Sequence, residues 1–176
     1  MAIDAFLGID KVKGEAQDKM FKDRIDVLSW SWGVANSGTS HFGGGGGSGK
    51  MSAQDLSITK WVDMASHHLI TKVADGTHFD KAVLVLRKSG GENPVEFWKM
   101  SMEHVMVTSY STGGSPGEDK ITENITLNFR SFNIEYKLQD KDGTVKGQDD
   151  FKWNIATNAA DDEAPSPFSM GADGVS

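Results

Sequence analysis

Apolar and polar residues alternate with a period of two along most of this chain, the pattern of strands whose two faces meet different surroundings. In Leu28-Ser29-Trp30-Ser31-Trp32 the large side chains share one face and the serines the other. Leu56, Ile58 and Lys60 alternate in the same way with Ser57, Thr59 and Trp61. Ala82-Val83-Leu84-Val85-Leu86 is apolar at every position, which predicts a strand covered on both sides. Between positions 95 and 110, Trp98, Met100, Met102 and Met106 fall on one face.

The stretch 121–138 changes phase. Ile121, Ile125, Leu127 and Phe129 occupy odd positions, whereas Phe132, Ile134, Tyr136 and Leu138 occupy even ones. Side chains in a strand alternate strictly, so the switch near Arg130-Ser131 predicts a bulge or bend in one long strand that turns a barrel corner. One segment reads as helix, 66–74, with Leu69, Ile70 and Val73 on one side. Asp63 or Ser66 can cap its start, and Gly76 stands where a left-handed C-terminal glycine belongs. Gly90-Gly91, Gly113-Gly114 and Asp142-Gly143 punctuate the strands as turns. Long antiparallel strands with one short flanking helix predict an all-β fold, a β-barrel, in a single domain over 1–160.

Two stretches lack periodicity. The segment 36–50 contains the run Gly43, Gly44, Gly45, Gly46, Gly47 and predicts a long mobile loop. The tail, 161–176, is acidic, carries Pro165 and Pro167, and reads as disordered or weakly attached. The chain has no cysteine, so disulfides and thiolate metal sites are excluded. A net charge of −7 argues against nucleic-acid binding, which rests on neutralising phosphates with Lys and Arg. The opening Met1 to Gly8 lacks a basic stretch followed by a long apolar one, and no apolar run reaches membrane-spanning length. The expectation is a cytoplasmic protein without signal peptide or membrane insertion.

Candidate chemistry is sparse. Gly44, Gly49 and Lys50 have the spacing of a phosphate-binding loop, but Met51 replaces the hydroxyl residue that would hold magnesium. Gly113-x-Ser115-x-Gly117 matches a nucleophile elbow in form, yet the oxyanion donor would be Pro116, which has no N–H. Asp140-x-Asp142-Gly143 opens like a calcium loop, but its sixth and twelfth positions are Val145 and Phe151. His41, His67, His68, His78 and His104 show no helical zinc spacing. No catalytic, cofactor or metal site is expected. Trp30, Trp32, Trp61, Trp98 and Trp153 leave open a monomeric barrel that binds a small ligand, the main alternative class.

What these readings leave over is a face. Thr122, Asn124, Thr126 and Asn128 are polar and uncharged, suited to line water without gripping what passes. Long strands with exposed edges also tend to pair with other chains. Both features point to assembly.

Several ordered segments resemble the Hcp proteins (haemolysin-coregulated proteins) of bacterial type VI secretion. They are the run from Asp55-Leu56-Ser57-Ile58-Thr59-Lys60-Trp61 through the short helix, Ala82-Val83-Leu84-Val85-Leu86-Arg87-Lys88, and Val105-Met106-Val107-Thr108-Ser109-Tyr110. Glu118-Asp119-Lys120-Ile121-Thr122-Glu123-Asn124-Ile125-Thr126-Leu127-Asn128-Phe129 continues the series, and the likeness extends to about Ala156. The resemblance implies a barrel that assembles as a homohexameric ring. Rings would stack into a tube inside a contractile sheath, tipped by a spike protein and carrying small effector proteins in the lumen before secretion. It also implies that His41, Phe42, Gly43, Gly44, Gly45, Gly46, Gly47 and Ser48 contact a neighbouring subunit or ring, and that Thr122, Asn124, Thr126 and Asn128 face the lumen.

Overall fold

A computed structural model describes residues 2–38, 49–89, 94–160, 163–171 and 174–176. Its strands are β1 (Ile3–Ile9), β2 (Ile25–Ser31), β3 (Val34–Asn36), β4 (Met51–Ala53) and β5 (Leu56–Trp61). One helix, α1 (Ser66–Asp75), leads to β6 (His78–Lys88), β7 (Glu96–Gly113), β8 (Thr122–Asn128), β9 (Ser131–Gln139) and β10 (Val145–Asn154). Two short strands close the chain, β11 (Met170–Gly171) and β12 (Gly174–Val175). The order β7-β6-β1-β2-β5-β8 is closed by pairing of β8 back onto β7, giving an antiparallel barrel with β9 and β10 added outside the closure.

The length of β7 makes this possible. One edge follows β6, while the other carries β9 opposite Trp98 to Glu103 and β8 opposite Met106 to Gly113. β8 and β9 are thus successive halves of one line, interrupted at Phe129 and Arg130 as the parity switch predicts. Arg130 bridges the interruption by donating its N–H to the Glu103 carbonyl at 3.0 Å.

Two further phase changes correct the simple alternation. A register shift between Val27 and Ser29 makes Leu28 the extra residue of a bulge, so it points to solvent while Trp30 and Trp32 stay with the core. In β7, His104 has φ +51°; Met100 and Met102 point inward before it and Val105 and Val107 after it, which leaves Met106 outside. In α1 only Leu69 of the three expected apolar contacts is buried; Ile70 and Val73 are exposed. Ala65 is the N-cap, its N–H held by the Asp63 carboxylate at 2.9 Å, and Gly76 takes the left-handed conformation with its N–H on the Lys72 carbonyl.

The main core fills the barrel with Leu7, Ile9, Leu56, Ile58, Leu84, Met100, Ile125, Leu127 and Phe132 among others. A second core lies on the outer face of β1 and β6, where Phe6, Val83 and Val85 meet Phe21, Phe168 and Val175. This accounts for the run 82–86 being apolar at every position. The described residues beyond 162 lie across this face as a strap. Phe168 donates its N–H to Ser101 Oγ at 2.8 Å, the Lys81 ammonium lies over its ring, and the Arg24 guanidinium bonds the Gly171 carbonyl. The tail's apolar residues are too few to form a core of their own, but they complete one that the sheet already offers.

The predicted loop contacts His41 through Ser48 and the turn at Gly90-Gly91 lie outside the described residues. The described flanks of the glycine-rich segment form the β3–β4 hairpin, tied by the Asn36 amide to the Gly49 carbonyl at 2.7 Å. Met51 begins a strand, not the helix whose N-terminus would hold phosphates.

Candidate functional site

Strand register assembles a surface that no single segment contains. Ser31 pairs with Ser57, Ser57 with Thr126, and Thr126 with Ser109. Two residues along, Ser29 pairs with Thr59, Thr59 with Asn124, and Asn124 with Ser111. Two rows of hydroxyl and amide side chains therefore cross β2, β5, β8 and β7. They point outward because the alternate residues, Leu56, Ile58, Ile125 and Leu127, fill the barrel.

The rows are knit by their own hydrogen bonds. Thr59 Oγ1 donates to Asn124 Oδ1 at 2.6 Å, and Thr126 Oγ1 shares hydrogen bonds with Thr108 Oγ1 at 2.7 Å and Ser109 Oγ at 2.6 Å. At one end Asp55 accepts from Asn128 Nδ2 at 2.9 Å and from Thr108 Oγ1 at 2.6 Å. Thr122, Asn124, Thr126 and Asn128 all lie on this face of β8. The partners contributed by β2, β5 and β7 were missed. Their alternation was visible in sequence, but their adjacency depends on register.

Beneath the rows sits a buried charged group that sequence reading also missed. Lys60 and Glu123 are opposite each other across β5 and β8, both fully buried, and their side chains form an ion pair. Lys60 Nζ also reaches Asp63 Oδ1 and the Trp61 carbonyl, each at 2.8 Å. Glu123 accepts from Ser66 Oγ at 2.8 Å and from the Tyr110 hydroxyl at 2.5 Å. Burial pushes the Tyr110 phenol up to about 12, reinforced by its bond to the Glu123 carboxylate. The signal was Lys60 itself, a cation in phase with Leu56 and Ile58. The network joins α1 to the barrel wall and holds the strands that carry the rows.

The hydroxyls of the face bond one another, Asn124 and Asp55, and the described histidine rings pair elsewhere, His67 with His68 at 4.0 Å and His78 with His104 at 5.2 Å. Ser115 sits in an exposed turn, accepting from the Glu118 N–H at 3.3 Å. Asp142 caps a hairpin turn by accepting from the Thr144 N–H at 3.0 Å. Among the described residues no group of three or more His, Asp or Glu could hold a metal.

The tryptophans enter different ring contacts. Trp30 stacks on Trp98 at 4.9 Å, Trp32 meets Phe132 edge-on at 5.0 Å, and Trp153 stacks on Phe151 at 6.0 Å. Trp61 instead borders an open groove of about 420 Å³ with Asp26, Val62, Asp119, Lys120 and Ile121. There burial raises the Asp26 carboxyl above the usual range, with nearby Asp63 adding to the effect.

Comparison with known proteins places this architecture. Residues 6–136 match the family model described as "Type VI secretion system effector, Hcp". The chain is 48% identical over 159 residues to "Protein hcp1" of Pseudomonas aeruginosa, covering 90% of this chain and 98% of that one. A solved structure titled "Structure of a type six secretion system protein" superposes with a TM-score of 0.83 at 32% identity, covering 90% of this chain and 99% of that chain. Hcp1 from Salmonella typhimurium gives a TM-score of 0.72 at 31% identity, with the same coverage of 90% and 99%. Among the described residues no helix is long and apolar enough to cross a membrane. The chain belongs to the Hcp family of secreted type VI tube proteins, and its role is structural, not enzymatic.

Proposed function

We propose that six copies close into a ring with the two hydroxyl rows facing the lumen, and that rings stack into the tube expelled by type VI secretion. The tube works with a contractile sheath and a spike at its tip, and small effector proteins travel inside it. The segment 36–50, with His41 through Ser48 at its centre, meets a neighbouring subunit or ring. The protein is assembled in the cytoplasm and leaves through the machine.

The observation that carries this reading is the continuity of the face. Four adjacent strands present Ser, Thr and Asn in register, with no Lys or Arg and no large apolar side chain in either row. Such a surface stays hydrated and holds a passenger by many weak contacts. None of those contacts costs much to break on release.

Replacing Asn124 with Trp tests it, because the side chain is exposed and its substitution leaves the barrel core untouched. Rings of unchanged mass that no longer retain a co-expressed effector are expected. Loss of the rings would instead place Asn124 in a subunit contact and overturn the lumen assignment. Deleting 42–48 is expected to abolish stacking, and unaffected stacking would remove that segment from the contact.

A further inference from the structure

The face beneath the strap has the make-up of a docking groove. Phe6 of β1 stacks on Phe21 at 4.5 Å, and Val83 and Val85 of β6 belong to the same cluster. Gly8 leaves a cradle in this floor, because the Met170 sulfur lies 2.7 Å from where a Cβ on Gly8 would stand. Two buried polar side chains from outside the strap reach the same face. Ser101 of β7 is fully buried and accepts the Phe168 N–H at 2.8 Å. Arg24, 7% exposed, bonds the Gly171 carbonyl and, at 3.4 Å, the Gly174 carbonyl. Among the described residues the hydrogen bonds of both side chains go to the strap. An apolar floor with a few fixed polar points is how proteins hold a ligand segment in place.

The strap meets this groove as a ligand would. Its backbone pairs with itself, β11 with β12 and Ser169 with Ser176, and among the described residues with no strand of the barrel. Ala164, Phe168 and Val175 are buried, whereas Ser166, Ser169 and Ser176 are exposed. What the groove reads is general: a ring under the Lys81 ammonium at 4.9 Å, one N–H and two carbonyls. The tail's composition, acidic with Pro165 and Pro167, suits a separable piece. Nine-tenths of this chain spans the relatives named above over 98% and 99% of their own lengths, so a share about the size of the strap lies beyond what they have in common.

We infer that the outer face of β1 and β6 is a docking groove for an extended segment of a partner protein, and that the strap, through Phe168, Met170 and Val175, shuts it in cis. The fitting segment carries an aromatic residue for the Phe168 seat, followed by small residues whose carbonyls can approach Arg24. The strap is then an autoinhibitory latch, and a partner enters only as the strap leaves. In the barrel order β1 and β6 lie across from β8 and β5, so on the tube reading the groove looks away from the lumen. A tethered segment competes at about millimolar effective concentration, so a similar segment from outside binds only weakly while the tether is intact.

Cutting that tether is the test. A protease site inserted after Ala160 lets the full chain fold with its strap and then be cut. The probe is a fluorescein-labelled peptide of residues 161–176, followed by fluorescence anisotropy. Cutting is expected to raise peptide uptake at least about tenfold, because the strap then loses the advantage of its tether. Phe168→Trp in the peptide should preserve binding, whereas Phe168→Ala should weaken it at least about tenfold. A cut chain that releases its strap yet takes up no peptide would overturn the groove. One that neither releases nor exchanges the strap would make it a fixed part of the fold and overturn the latch, as would equal uptake before and after cutting. The measurement reads the same on rings and on monomers, so failure of the tube reading would be a separate result.

Discussion

β8 and β9 are halves of one line of chain along the same edge of β7, yet they are buried differently. In β8 the apolar phase, Ile125 and Leu127, is fully buried and the polar phase lies open as part of the hydroxyl rows. β9 changes along its length. Both faces are buried at its start, in Ser131, Phe132 and Asn133, whereas Tyr136 and Leu138 at its far end are half exposed. Alternation fixes which residues share a face, but what packs on that face decides which side is dry. Barrel closure dries the inner side of β8. At the far end of β9 the barrel has already closed, and Tyr136 and Leu138 stay open.

The contrast can be broken most severely at the buried pair under β8. Lys60→Ala leaves the buried Glu123 side chain without its ion-pair partner in the wall, with an expected loss of about 3–5 kcal/mol in urea unfolding. Lys60→Met combined with Glu123→Leu should recover most of it. A double variant as unstable as the single one would mean that the wall needs the charges themselves.

The strap on the other side is next. Phe168→Ala should cost about 3 kcal/mol, because its ring is buried against Val83 and Val85. A change within about 0.5 kcal/mol would favour the loosely attached tail over 161–176 that composition suggests.

A smaller effect follows pH. Tyr110 keeps its proton in the folded protein up to about 12 but loses it near 10 when unfolded. Its contribution is therefore fully present below pH 10 and is lost as pH rises towards 12. Absorbance titration of a Tyr136→Phe variant, which isolates Tyr110, should show late phenol ionisation. Ionisation near pH 10 would dissolve the link to Glu123.

The smallest change is expected at Leu138. Leu138→Ala should shift the dissociated monomer's stability by no more than about 0.5 kcal/mol, whereas Ile125→Ala should cost about 2–5 kcal/mol. Equal costs would erase the contrast between the two halves.

Much of this was legible in the sequence, and particular residues show where legibility stopped. The break at Arg130-Ser131, the C-terminal Gly76 of the helix and the polar face of β8 were all visible as pattern. Leu28 and Met106 misled because a bulge and the positive φ at His104 move a residue across the sheet without changing the spelling of the chain. The hydroxyl rows needed strand register, which pairs Ser31 with Ser57 and Ser109 with Thr126 from distant segments. Phe168 and Val175 carry no period, and their burial depends on Phe6, Val83 and Val85 waiting on the sheet. Lys60 could have been read as a buried cation from its phase alone, but its partner Glu123 could not.

The central claim is that this barrel is one segment of a closed ring, with the hydroxyl rows turned to the lumen. The most direct test is mass in solution by light scattering, with negative-stain imaging of the same peak. Six copies of the 19.1 kDa chain, about 115 kDa, seen as open rings is the predicted result. A compact 19.1 kDa particle at every concentration would contradict it and leave the rows facing only water.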